Sequence, residues 1–271
     1  MALSIDRTLP IQAQSVSFGS IRNVGDPKTS YKTNPFKPDS FQHTEVVRPY
    51  SQSEKLYQKL LEQVAPSVLF ESYLNDDAVA RMSAQNPRVK DILSKNNVDF
   101  NINVDNVKGI KEAHLLSTQG YANGIADKLD LSRHDKNVIS KGALFHDYGK
   151  ILIPENLLNK NGKLTPDEKR IVDLHSALGY ELLNTTSLNK DILTIVKNHH
   201  KPLEKSPDYR TQIVSIADIY SALRIKRSYK DPMPVAQAMQ ILQNYAKMGK
   251  VDPEIVAALQ KHVNETELAP V

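Results

Sequence analysis

GALFHDYGK, residues 142–150, closes an amphipathic run through Ile139, Ala143 and Leu144 and ends on the doublet His146-Asp147. Working outward, the same side-chain types recur: His114 upstream, then His175, the pair His199-His200 and Asp218 downstream. Six of these seven fall on segments with the period of an amphipathic helix. His114 shares a face with Thr118, Tyr121, Ile125 and Leu129, and His175 with Ile171, Leu178 and Leu182. His199 follows Ile192, Ile195 and Val196 on one stripe, with His200 one step round. Asp218 interrupts QIVSIADIYSAL, which is otherwise apolar nearly all round and reads as a central helix. A lone carboxylate there costs several kcal/mol unless it is neutralised, paired or metal-bound. The pattern therefore predicts a helical bundle with ligands projecting into it. Imidazole and carboxylate with no thiolate suit iron or manganese. Five imidazoles and two carboxylates exceed what one tetrahedral ion needs. Two divalent ions sharing a bridging carboxylate would use them, and such a pair suits in-line displacement at phosphorus. His43, His134 and His262 lie outside the pattern and read as surface residues.

The rest of the chain supports an all-α architecture. Thr165-Pro166-Asp167-Glu168 is a capping box with Pro at the first helical position. Asp252-Pro253-Glu254 repeats the logic before IVAALQKHV, and Gly249 marks a helix stop. Residues 1–45 are polar and carry Pro10, Pro27, Pro35 and Pro38, which predicts a disordered tail. Residues 46–105 form a helical N-terminal region, a cap or a dimerisation element, in which FNINVDNV (100–107) alternates and is expected to be extended. Residues 106–265 hold the ligand-bearing bundle.

Composition narrows the function classes. The 271 residues are 40% hydrophobic, ordinary for a chain that buries a core. With no Cys there are no disulfides and no thiolate metal sites, which fits a reducing compartment. The net charge of +4 is spread among acids rather than striped, so a nucleic-acid polymer is not the expected partner, whereas a small anionic substrate is. The first twenty residues lack the apolar core of a secretory signal, and no stretch approaches the ~20 apolar residues of a spanning helix, so a cytoplasmic location with no membrane partner is expected.

With these residues in place, the chain resembles the HD superfamily of metal-dependent phosphohydrolases, and more narrowly the HD-GYP branch that hydrolyses cyclic di-GMP. The likeness runs over roughly 110–263: HDYGK, ILIPENLLNKNGKLTPDEKRIVDLH, then HH, ADIYSAL and RSYK follow in the branch's order. The resemblance implies that His114, His146, Asp147 and Asp218 hold one ion and His175, His199 and His200 the second, with Asp147 bridging. It implies that Lys150 contacts the scissile phosphate and that Arg227 and Lys230 grip substrate phosphates. Departures accompany it. Ile110 stands where some members carry a metal-binding glutamate, which argues for two ions rather than three unless Glu112 substitutes. Lys201 replaces a glutamate after the His pair, Gln212 an arginine, and Ser221 a second aspartate. HHKPLEKSPDYRTQIVSIAD is too short for the GYP loop, of which Asp208-Tyr209 is at best a remnant. The leading expectation is a dinuclear phosphodiesterase acting on a cyclic dinucleotide. The alternatives are an HD-type phosphohydrolase with another nucleotide substrate and a non-catalytic metal- or nucleotide-binding signalling domain.

Overall fold

The computed structural model describes residues 63–108, 110–201, 203, 208–225 and 231–268. The expected tail at 1–45, the start of the N-terminal region, His43, Arg227 and Lys230 lie outside these residues. Among the described residues there are helices and 3-10 turns and no strand. The helices are α1 (Pro66–Tyr73), α2 (Asp76–Gln85), α3 (Pro87–Lys95), α4 (Ile110–Lys128), α5 (Arg133–Phe145) and α6 (Glu155–Leu158). They continue as α7 (Pro166–Asp173), α8 (His175–Leu183), α9 (Lys190–Asn198), α10 (Tyr209–Arg224), α11 (Val235–Lys247) and α12 (Pro253–Thr266).

The helix starts follow local chemistry. At Asn75, Asn86, Ser132, Asn189, Asp208 and Asp252 a side-chain oxygen accepts from a backbone N–H of the first turn, satisfying a donor that has no partner within the helix. The expected capping box at Thr165 is present in both halves, Thr165 accepting from Glu168 N–H and Glu168 from Thr165 N–H. Gly249 follows the end of α11 at φ 68°, a left-handed turn that glycine takes at no steric cost.

α4 is the central helix. α5, α10 and α12 pack along it, α9 packs on α5 and α8, and α8 lies against the 3-10 turn Tyr148–Leu152. α1 packs on α5 and α2 and α3 on α8, so one hydrophobic core runs from Leu69 and Phe70 through Ile125, Ile139 and Phe145 to Val263. FNINVDNV is not extended throughout. Asn103 keeps an extended backbone, but among the described residues there is no strand to pair with, and the chain turns into a 3-10 helix at Val104–Val107, where the Asn103 side chain accepts from Asp105 N–H. Asn106 in that turn is buried, and its amide donates to the carbonyls of Lys150 (3.0 Å) and Ile153 (2.8 Å). This strap fixes the backbone immediately after the His-Asp doublet.

Candidate metal centre

Helix ends, more than helix faces, deliver the seven side chains. His114 sits in α4, Asp218 in α10 and His175 at the first position of α8. His146 and His199 are the C-cap residues of α5 and α9, and Asp147 and His200 follow them. The turn at Leu174 separates His175 from the helix carrying Ile171, so those two do not share one continuous helix.

Three of the rings are oriented identically. Nδ1–H of His146 donates to the Ala143 carbonyl (2.6 Å), that of His175 to Val172 (2.6 Å) and that of His199 to Val196 (2.9 Å). A carbonyl can only accept, so Nδ1 carries the proton and Nε2 presents a lone pair. These lone pairs converge. His175 Nε2 lies 3.2 Å from His199 Nε2 and 3.1 Å from His200 Nε2, and His146 Nε2 is buried with no hydrogen-bond partner. Asp147 stands between the groups, Oδ1 3.2 Å from His175 Nε2 and Oδ2 3.4 Å from His146 Nε2. On the far side Asp218 Oδ1 lies 2.9 Å from His114 Nε2 and 3.8 Å from His146 Nε2. Two sets of donor atoms each fit within 4.8 Å: Asp147 with His175, His199 and His200, and Asp147 with His114 and His146. Asp147 is common to both. Imidazole nitrogens aimed at one another around a shared carboxylate are the donor set a cation would satisfy, so the residues fit a divalent metal. Glu112 joins neither set.

The electrostatics agree. Burial holds the His175 pKa down to about 4 and that of His200 down to about 3, the latter helped by the His175 ring. Burial and the facing His200 push His199 well below its usual value, and burial also lowers His114. These rings therefore stay neutral, as a ligand must. Burial opposes the charge on Asp147, yet Lys150 and His146 beside it hold its carboxyl well below the usual range. Asp218 is likewise held low against burial, by His114 and His146. His146 is the exception: burial disfavours its charge, but Asp147 outweighs burial and raises it.

Six of the seven expected residues fall in these two sets, and Asp218, in neither, stands beside His114 and His146. Lys150 Nζ is ion-paired with Asp147 Oδ2, so its ammonium stands at the shared carboxylate. His134 is exposed as expected. His262 is not a surface residue: it is half-buried, its ring lies against Gly124, where a Cβ would collide with it, and 6.4 Å from the Tyr121 ring. Sequence reasoning missed two supports. Asn106 gave no signal beyond an asparagine in a short alternating run. Ser221, noted only as a departure, holds His114: its Oγ is 2.8 Å from His114 Nδ1.

Residues 112–223 match the family model described as HD domain. This stretch is similar to HD domains. The six residues of the two sets and Asp218 beside them all fall inside it. The chain is 36% identical over 165 residues to the cyclic di-GMP phosphodiesterase response regulator RpfG of Xanthomonas campestris, covering 56% of this chain and 43% of that protein. It is 32% identical over 154 residues to the 3'3'-cGAMP-specific phosphodiesterase 3 of Vibrio cholerae, covering 53% of this chain and 33% of that one. The chain therefore spans less than half the length of these relatives. Its fold is similar to that of Bd1817, an HDG"Y"P protein from Bdellovibrio bacteriovorus, with a TM-score of 0.51 at 20% identity over 75% of this chain and 69% of that one. No described helix is long and apolar enough to cross a membrane.

Proposed function

We propose that this chain is a dinuclear metal-dependent phosphodiesterase that hydrolyses a cyclic dinucleotide in the cytoplasm, with cyclic di-GMP the first candidate. The observation that carries the reading is that one buried carboxylate, Asp147, belongs to both donor clusters. His114, His146, Asp147 and Asp218 would hold one ion and His175, His199, His200 and Asp147 the other, iron or manganese by donor type. Such a pair supplies Lewis acidity at phosphorus and lowers the pKa of water. The protein contributes placement and charge. Fixed Nδ1 hydrogen bonds aim the imidazoles, and the Lys150 ammonium stands where charge develops on a phosphate oxygen. Arg227 and Lys230 would add further phosphate contacts.

The cGAMP-specific relative favours a second reading of the same site, in which another phosphoester is preferred. Turnover with manganese or ferrous iron against cyclic di-GMP, 3'3'-cGAMP, a linear dinucleotide and an aryl phosphodiester separates the two. Cleavage of cyclic di-GMP as the best substrate is the expected result. A protein that binds manganese but cleaves none of them is a signalling module, and the enzyme reading fails.

A further inference from the structure

His114 differs from its neighbours in how its ring is held. His146, His175 and His199 each give Nδ1–H to a backbone carbonyl of their own segment, and a carbonyl permits one tautomer only. The Nδ1 of His114 meets a hydroxyl instead, Ser221 Oγ at 2.8 Å, from a different helix. Asp218, one turn earlier on that helix, faces the other nitrogen at 2.9 Å. α10 therefore grips both nitrogens of one ring. A hydroxyl is donor and acceptor at once, so Ser221 serves either tautomer. With the proton on Nε2, that nitrogen donates to Asp218 while Ser221 O–H donates to Nδ1. With the proton on Nδ1, Nδ1–H donates to Ser221 Oγ, Ser221 O–H turns to the His114 carbonyl 3.3 Å away, and Nε2 presents its lone pair to the centre. The proton only changes nitrogen, so the ring stays neutral in both.

The opposite side has no such alternative. His175 and His199 are held with their Nε2 atoms 3.2 Å apart, and the Ser176 hydroxyl (3.3 Å) and His200 Nε2 (3.1 Å) reach His175 Nε2, one nitrogen of the pair. A cation satisfies both nitrogens at once. On the His114 side a bound ion must instead compete with a ready-made His114–Asp218 hydrogen bond.

We propose that the two halves of the centre are unequal and that Ser221 is a positioning residue for one of them: the His175-His199-His200 half holds its ion tightly, whereas the His114-Asp218 half exchanges its ion readily because the ion displaces the His114–Asp218 hydrogen bond, and Ser221 Oγ, by accepting from Nδ1–H, holds the ring in the tautomer that binds it. The inference rests on the reading of the cluster as a two-ion centre. Titration of the full chain, stripped with EDTA, with manganese alone by calorimetry tests it. Two binding steps separated by about 10- to 100-fold in Kd are expected, the range by which outer hydrogen bonds tune metal ligands. Ser221→Ala should weaken the weaker step by about tenfold and leave the tighter one alone, and Ser221→Thr, which keeps the hydroxyl, should restore it. His199→Ala should remove the tighter step. Two equal steps, or a Ser221→Ala that leaves both unchanged or shifts both alike, overturn the inference while leaving the centre standing. No manganese binding at all overturns the two-ion reading itself. Should Ser221→Ala fold poorly, nitrogen-15 spectra of the unmutated protein in EDTA decide. An Nε2–H tautomer for His114 beside Nδ1–H tautomers for His146, His175 and His199 is expected, and Nδ1–H for all four overturns it.

Discussion

Asp147 carries contradictory demands. It is buried, its two oxygens face different imidazole groups, and it also receives the Lys150 ammonium. Asp147→Ala removes the one ligand common to both clusters and leaves the half-buried Lys150 ammonium without this partner. We expect loss of turnover and of most bound manganese, with helical content retained by circular dichroism. Lys150→Ala is the informative contrast. It should keep bound metal and lower kcat by about 10²- to 10³-fold, the usual effect of deleting one charge-stabilising donor. Equal loss of metal in both variants would falsify a substrate-facing role for Lys150 and leave it as a counter-ion to the carboxylate.

At the scale of elements, the seat of α8 on the Tyr148–Leu152 turn decides whether His175 reaches Asp147. Gly149 and Gly179 make that approach possible: a Cβ on Gly149 would run into the His175 carbonyl and the Gly179 nitrogen. Gly149→Ala should therefore push α8 outward, lowering stability by about 1–3 kcal/mol as overpacking does. Weakened manganese binding should accompany the lower Tm, because His175 moves with the helix. A Gly149→Ala protein with unaltered metal affinity would show that the site tolerates the shift. The capped helices were legible in the sequence because caps are local: Thr165-x-x-Glu168 and Asp252-Pro253 act within one turn of themselves. The seven ligands were legible because a polar residue on an apolar stripe has to be accounted for by something. The Gly149–Gly179 approach, the Asn106 strap and the Ser221 contact were not, because each joins residues far apart in the chain and has no period. FNINVDNV misled for a related reason: apolar alternation marks burial of one face, and a strapped 3-10 turn satisfies that as well as a strand does.

Over the whole molecule, so many neutral imidazoles make the stripped protein sensitive to acid. His175 and His200 have pKa values lowered from 6.5 to about 4 and about 3, and His199 and His114 are also lowered. The unfolded chain takes up these protons first, so their contribution is complete above about pH 6.5 and is lost as pH falls toward 4. His146, raised, works the other way but alone, while Asp147 and Asp218 give way only below the ordinary carboxylate range. In EDTA, Tm should fall between pH 6.5 and pH 4, and His199→Ala should flatten that fall. A Tm that is constant over this interval would mean the rings are already protonated in the fold. A final consequence concerns modularity. Phe145 and Tyr148 bracket the His-Asp doublet, and both lean on α1: Phe70 lies 5.1 Å and 6.3 Å from their rings, Tyr73 lies 5.6 Å from Phe145, and the Tyr148 hydroxyl donates to the Tyr73 carbonyl. At the other end Glu267, just past α12, accepts from Tyr121 (3.0 Å) and pairs with Arg224 (2.6 Å). Neither support lies within 112–223. The stretch that matches the family model is thus smaller than the piece expected to fold on its own. A fragment of 112–223 should be aggregation-prone and unable to hold manganese, whereas 63–268 should behave as a transplantable unit.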